Sequence, residues 1–462
     1  MSKWSRTVAL VLVSLLTVAA VGCGGTNDKK GSDTPAAPAT TPEPAKAPDP
    51  VTLNMWIMPN TNNSEADMMA TAQPWLEKNK HVTLKVTVLD WGAALPKITA
   101  AATSGEGPDI LQLGTTWTPA VAATGALEKL NLADFGGKDA FFPASISTCN
   151  LAPSNDYYGI PWFVDVRALY YRTDVFAKAG VDPKEAFKTW DTFKAALQKI
   201  NNTEIDGKQV AAFGFPGKND WNVLHFIFPW VWGAGGSELS ADFSKAAIVS
   251  EASVDGLMFY TGLAHEGLAP KSYLEKNTAD VDNAFHAGEF AVLSEGPQLI
   301  RSYYTPVDKG GNADKIPAKN YDVSPYPAGP KGRFSFFGGS NLSLWKTTKH
   351  KAEALDLLKY LGSKEGQVAY AKVNGYLPGI KSAESDMLAL DKRFGAFYEA
   401  AKYGRSYPSI AAWMTSEPIW QKHFGSIWDV TAGVSGTYSR EEIKKNLEAL
   451  AKDIDSHLKT AQ

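Results

Sequence analysis

Val51-Thr52-Leu53-Asn54-Met55-Trp56-Ile57 opens the folded part of the chain and sets its class. The run is apolar and β-prone, so it reads as a strand. Ser64-Glu65-Ala66-Asp67 follows, with a hydroxyl able to cap a helix and an acid three residues on. Met68, Met69, Ala72, Trp75 and Leu76 then recur at helical spacing. Val82, Leu84, Val86 and Val88 alternate with polar residues, which predicts a second strand. Ala93 to Thr103 reads as a second helix. Ile110 to Leu113, after Pro108-Asp109, reads as a short buried strand. Strand, helix, strand, helix, strand is the signature of a parallel sheet in an α/β fold.

Such sheets bind ligands beyond the carboxyl ends of their strands. Those ends carry Trp56 to Asn60, Asp90-Trp91, and Gly114-Thr115-Thr116-Trp117, so each loop brings an indole and a hydrogen-bonding group. Flat apolar faces beside amides, hydroxyls and carboxylates suit a sugar ring. Its axial hydrogens pack on indole, and its hydroxyls need several directional partners.

Outward from this core the pattern continues. Ala168 to Phe176 reads as a strand running into a helix, and Thr189-Trp190-Asp191-Thr192-Phe193 as another helix start, capped by Thr189 or Asp191. Phe226 to Gly236 is apolar and aromatic, and Phe290 to Leu293 is strand-like. Phe337-Gly338-Gly339-Ser340-Asn341 reads as a glycine-rich turn before Leu342-Ser343-Leu344-Trp345. Lys351 to Leu361 is amphipathic. Arg440 to Leu458 lines up Ile443, Leu447, Leu450, Ile454 and Leu458 on one helical face. Trp75, Trp190 and Trp428 sit at helical spacing and are expected in the core.

At the other end, Lys3 and Arg6 precede an uncharged run from Val8 to Val21, followed by Gly22-Cys23. This is the layout of a secretory signal, and its end resembles the lipobox of bacterial lipoproteins, with Ala20 where Leu is usual. The resemblance implies a lipoprotein signal peptide over 1–22, cleavage before Cys23, and palmitate-type acylation of its thiol. The mature chain would then be anchored by lipid to the outer face of the cell membrane. Residues 23–50 carry Pro35, Pro38, Pro42, Pro44, Pro48 and Pro50 among small and polar residues, the composition of a flexible tether.

The whole chain has a formal charge of −3, which becomes −5 once Lys3 and Arg6 leave with the signal; that balance argues against a nucleic-acid partner. Beyond Cys23 the only cysteine is Cys149, so no intrachain disulfide is expected, and a monomer is. Motifs of zinc peptidases, P-loop enzymes and serine hydrolases are absent, and the seven histidines show no metal-ligand spacing. No metal and no cofactor are expected. Glycosidase carboxylates lie far apart in sequence, so a surface glycoside hydrolase using residues such as Asp90, Asp165 and Glu295 stays open on these residues alone.

Several ordered stretches carry a broader likeness: Gly107-Pro108-Asp109-Ile110, Tyr158-Gly159-Ile160-Pro161, Leu169-Tyr170-Tyr171-Arg172-Thr173-Asp174-Val175-Phe176, Ala287 to Pro297, and Phe337-Gly338-Gly339-Ser340 with the helix ending Leu361-Gly362-Ser363-Lys364-Glu365. From Val51 onward the chain resembles the extracellular solute-binding proteins of bacterial sugar ABC transporters, the maltose-binding-protein-like group. The resemblance implies a periplasmic-binding-protein-like α/β fold of two lobes with a ligand cleft between them, joined by a three-crossing hinge. The crossings are expected near 163–167, 321–325 and 362–367, giving lobe 1 as 51–164 and 326–361 and lobe 2 as 165–325 and 362–462.

The likeness further implies a binder, not an enzyme, that delivers a sugar or oligosaccharide to ABC transporter permease subunits. A sugar sensor that presents its ligand to a receptor kinase would share this fold. Arg172 departs from the family's Asn. Gln298, directly after Gly296-Pro297, and His225 stand where a relative has stacking aromatics. Trp162, Trp230, Trp232 and Trp413 are candidates to replace them. The expected ligand-binding set is Trp56, Asn60, Asp90, Trp91, Thr115, Trp117, Trp162, Asp165, Trp232, Glu295, Gly339, Ser340 and Trp413.

Overall fold

The computed structural model describes residues 48–220 and 222–460. The signal peptide, Cys23 and nearly all of the tether lie outside the described residues. Strand β1 (Val51–Ile57) pairs in parallel with β2 (Val82–Val88) and β3 (Ile110–Gly114), as alternation and the intervening helices α1 (Ser64–Lys78) and α2 (Trp91–Ser104) predict. The sheet is mixed beyond that point. The long strand β10 (Ser335–Leu344) runs antiparallel between β3 and β4 (Ile160–Val166). β11 (Leu377–Pro378) closes the edge beside β4, and β12 (Gly404–Arg405) pairs with one end of β10.

A second sheet has the order β6-β7-β8-β5-β9, formed by Thr203–Ile205, Lys208–Gly214, Phe290–Glu295, Ala168–Arg172 and Tyr321–Ser324 respectively. The chain passes from the first sheet to the second through the single residue Arg167, between β4 and β5. It returns between Ser324 and Ser335. The following helices, Lys351–Gly362 and Lys364–Asn374, both pack on α1. β11 then pairs with β4, so the chain stays with the first sheet through Pro378, beyond the 362–367 crossing expected from the sequence. The reason is packing: Val368, Tyr370 and Ala371 bury an apolar stripe, and Tyr370 joins the first sheet's core.

Apolar side chains fill both faces of the first sheet. Leu53, Met55 and Ile57 meet Met68, Ala72 and Trp75 of α1 on one side, with Leu357, Leu358 and Leu361. Leu111 and Leu113 meet Ile98 of α2, Val121 and Trp345 on the other. The second sheet is covered by an aromatic core that includes Phe193, Trp230, Tyr260, Trp428 and the C-terminal helix Arg440–Thr460. Ile443, Leu447, Leu450, Ile454 and Leu458 are all buried there, on the face the spacing predicts. Thr189 caps its helix through a reciprocal bond with Thr192.

Two local expectations change. Ser64 does not cap α1; its hydroxyl instead accepts N–H bonds from Asn60 (2.9 Å) and Thr61 (3.0 Å), folding the β1–α1 loop back on itself. Phe337 to Asn341 is not a turn but the middle of β10, with an irregularity between Ser340 and Asn341. The glycines serve close approach. Gly339 has φ +123°, and a Cβ there would lie 2.2 Å from the Phe163 carbonyl oxygen of β4. A side chain at 339 both strains the backbone and pushes the two central strands apart. Gly339→Ala is therefore expected to lower unfolding stability by roughly 1–3 kcal/mol, read from urea denaturation; an unchanged midpoint would show that β10 tolerates a Cβ at this crossing.

Candidate functional site

A cavity of about 540 Å³ lies between the two sheets, within the usual range for small-molecule sites. The first-sheet loops supply Asn60, Trp91, Gly92, Thr115, Thr116 and Trp117, and β10 supplies Gly339 and Ser340. Phe163 and Asp165 of β4 form the floor. From the far side come Leu224 and His225 of the Val223–Ala234 helix and Glu417 and Gln421 of the Ala411–Ala432 helix, while Phe336 of β10 and Tyr376, just before β11, complete the lining.

A fully buried amide organises the first-sheet wall. Gln112 of β3 accepts the Met58 N–H (2.9 Å) and exchanges bonds with Asn60 (2.9 and 3.1 Å). It also donates to the Ser340 hydroxyl (2.9 Å). Asn60 donates in turn to Tyr370 Oη at 2.9 Å. A buried amide with every group paired ties the β1–α1 loop to β3 and β10, so Asn60 and Ser340 reach the cavity in a set geometry. Beside them the indoles of Trp91 and Trp117 meet edge to face, centroids 5.2 Å apart at 72°. Trp91 is 37% exposed, so part of its face is open to the cavity. On the opposite wall His225 stacks on Phe336 at 3.7 Å, nearly coplanar, and its Nδ1 bonds Tyr407 Oη at 2.7 Å.

Thus Asn60, Trp91, Thr115, Trp117, Asp165, Gly339 and Ser340 of the expected set come together. Six do not line the cavity. Trp56 points from β1 toward α2, where the Lys97 ammonium lies 4.6 Å over its ring. Asp90 is spent as the cap of α2, accepting from Gly92 and Ala93 at 2.9 and 3.2 Å. Trp162 is buried and stacks on Tyr370 at 4.1 Å. Strand alternation explains it: Phe163 and Asp165 face the cavity, so Trp162 faces the core. Trp232 is buried and donates to Glu238 at 2.9 Å. Trp413 stacks on Tyr407 and donates to Glu417 at 3.1 Å. Glu295 lies behind Asp165, bonded to Arg167, the Gly296 N–H and Gln298. Trp413 and Glu295 therefore position lining carboxyls instead of forming the wall. Gln298 likewise holds Glu295 and offers no stacking face.

Sequence reading missed Gln112, Phe163, Tyr376, Phe336, Glu417 and Gln421 as site residues. Two signals pointed to some of them. Alternation in β4 pairs Phe163 with Asp165, and Glu417 follows Trp413 by one helical turn.

Burial raises the Asp165 carboxyl to about 6, against the pull of Arg167 and with a further push from Glu295. Burial also raises Glu417 to about 7, opposed by hydrogen bonds from Thr116 and Trp413. Burial, then the nearby Arg167, holds His225 well below its ordinary value, so it stays neutral. Burial alone would lower the Arg167 pKa, but Asp165 and Glu295 reverse this and hold it above its ordinary value.

Both raised acids titrate near 4 in the unfolded chain, so between about pH 4 and 7 the native state binds more protons. Their contribution is then fully present at low pH and is lost as pH rises through 6 and 7. The melting temperature of the unliganded protein should carry this downward term from pH 5 to pH 8, and Glu417→Gln should make the profile shallower over that interval. Superimposable profiles would remove the buried acid from the account.

Among the described residues no set of three His, Cys, Asp or Glu side chains gathers as a metal site, and no helix is long and apolar enough to cross a membrane. The sequence model of the bacterial extracellular solute-binding protein family matches residues 59–368. A binding protein of Brucella abortus (strain 2308) is 26% identical over 377 residues, covering 79% of this chain and 87% of that one. The diacetylchitobiose binding protein DasA of Streptomyces coelicolor is 26% identical over 419 residues, covering 89% and 90%. The solved structure of the sugar-binding protein MalE from Xanthomonas citri has the same fold, with a TM-score of 0.73 at 23% identity over 88% of this chain and 98% of that one.

Proposed function

Because the chain belongs to the bacterial extracellular solute-binding protein family, we propose that it captures a sugar or oligosaccharide in the cleft between its two sheets and hands it to the permease subunits of an ABC transporter. The observation that carries this reading is the Trp91–Trp117 indole pair, set in one cavity with the Asn60 amide, the Thr115 and Ser340 hydroxyls and the Asp165 and Glu417 carboxyls. Indole faces take the apolar side of a pyranose while the polar groups pair with its hydroxyls. Walls drawn from both sheets mean that a ligand satisfies all its partners only when the lobes close on it. The diacetylchitobiose named for the Streptomyces coelicolor relative is the same ligand chemistry. Capture and release leave every covalent bond of the ligand intact, which separates this reading from a glycoside hydrolase.

Removing a buried aromatic anchor typically costs about 2 kcal/mol or more, roughly thirtyfold in affinity. Titration calorimetry against a sugar library should show that loss for both Trp91→Ala and Trp117→Ala, with the oligosaccharides recovered uncut. Trp75→Ala is the contrast. Its indole is buried and donates to Asp356 at 2.8 Å, so it should destabilise the fold and spare intrinsic affinity. Parent-like binding by both cleft variants, or cleavage of the sugar, would overturn the reading.

The anchor is proposed at Cys23, with 23–50 as the leash. Mass spectrometry of the membrane fraction should find a diacylglyceryl-modified Cys23 as the mature amino terminus, and Cys23→Ser should accumulate as full-length precursor. A lipid-free amino terminus elsewhere in the parent protein would reject the anchor while leaving the cleft's role untouched.

A further inference from the structure

The charges around the cleft are all of one sign. Asp165 and Glu417 line it, and among the described residues no lysine or arginine does. The nearest guanidinium, Arg167, lies behind Asp165, 5% exposed, and is already paired to both Asp165 (3.1 Å) and Glu295. Lys97 is turned away over Trp56, and Lys218 is engaged by Glu275 (2.8 Å) and Asp429 (2.7 Å). His225 is neutral.

Backbone N–H groups are the other common anion receptors, above all at helix amino termini. Gly92 brings the start of α2 to the cavity wall, but Asp90 Oδ1 already accepts its N–H at 2.9 Å and that of Ala93 at 3.2 Å. At that helix start the protein's own carboxylate fills the place a phosphate or carboxylate of a ligand would take; the Val223–Ala234 helix also brings its first turn, Leu224 and His225, to the wall without a side-chain cap, so the selection rests on the two carboxyls. Resting on the sugar-binding reading above, we infer that the cleft selects uncharged and amino-bearing sugars and rejects sugars carrying phosphate or carboxylate, with Glu417 and Asp165 as the specificity-determining residues.

A ligand anion within about 8 Å of one uncompensated carboxylate loses roughly thirtyfold in affinity. Thermal-shift titrations at pH 9, where both carboxyls are ionised, would compare glucose, N-acetylglucosamine, glucosamine, glucose 6-phosphate and glucuronate. Maltose, N,N′-diacetylchitobiose and sn-glycerol 3-phosphate complete the panel. Neutral and amino sugars should stabilise the protein, while each anionic derivative should need at least about thirtyfold more compound than its neutral parent. Glu417→Gln should narrow that gap, and so should high salt on the unaltered protein, which keeps the test valid if the variant folds poorly.

An anionic sugar that binds within a few-fold of its neutral parent would overturn the charge selection and leave the sugar reading standing. A gap that neither Glu417→Gln nor salt narrows would also overturn it, by assigning the rejection to shape. Stabilisation by sn-glycerol 3-phosphate alone, or by none of the sugars, would overturn both.

Discussion

The buried guanidinium of Arg167 is the contact on which the two halves of the molecule depend. It occupies the one-residue step from β4 to β5, so its backbone belongs to neither sheet. Its side chain binds Asp165 of the first sheet and Glu295 at the end of β8 in the second. Its main chain is held as well: Arg167 N–H donates to Phe336 O (3.2 Å), and the Ser335 hydroxyl donates to Arg167 O (2.5 Å). Removing Arg167 from this triad leaves two buried carboxyls without their cation, at a cost of about 3–5 kcal/mol. The same triad decides what the cleft floor offers, because Arg167 fixes Asp165 on one side while Gln298 and the Gly296 N–H fix Glu295 on the other.

Much of the fold was legible where one periodicity governed a long stretch. β1 to β3 with α1 and α2 follow from alternation and helical spacing, and the C-terminal helix from its five apolar positions. The glycines at 338 and 339 misled because glycine marks a turn and a close approach equally well. Only the neighbouring strand, absent from local sequence, tells them apart. The third crossing was placed early for a similar reason. The Lys364–Asn374 helix has an apolar face, but nothing within it says which sheet it covers.

The candidate site divides along the same line. Residues on strand-end loops, such as Asn60, Trp91, Thr115 and Trp117, were found because topology alone places such loops at a sheet's carboxyl edge. Indoles inside regular elements were not separable from core by residue type. Trp162 and Trp413 each sit one position or one turn from a lining residue, Phe163 or Glu417. A strand shows alternate residues to opposite faces and a helix shows every third or fourth to the same one. The identity of the residue says little about wall or core, and its phase says most. Gln112 was invisible because a single polar residue in an apolar strand has no pattern of its own.

The position of β10 has a kinetic consequence. It lies between β3 and β4, yet the Gln112–Ser340 bond joins residues 228 positions apart. Every strand of the second sheet comes between β4 and β10 in the sequence. The first sheet is thus open down its middle until the strands of the second have been synthesised, and its closure requires a long loop to be drawn in against chain entropy. Folding slows as the share of such long-range contacts grows. A chain whose central strand arrives late completes its first sheet only after every strand of the second has been made.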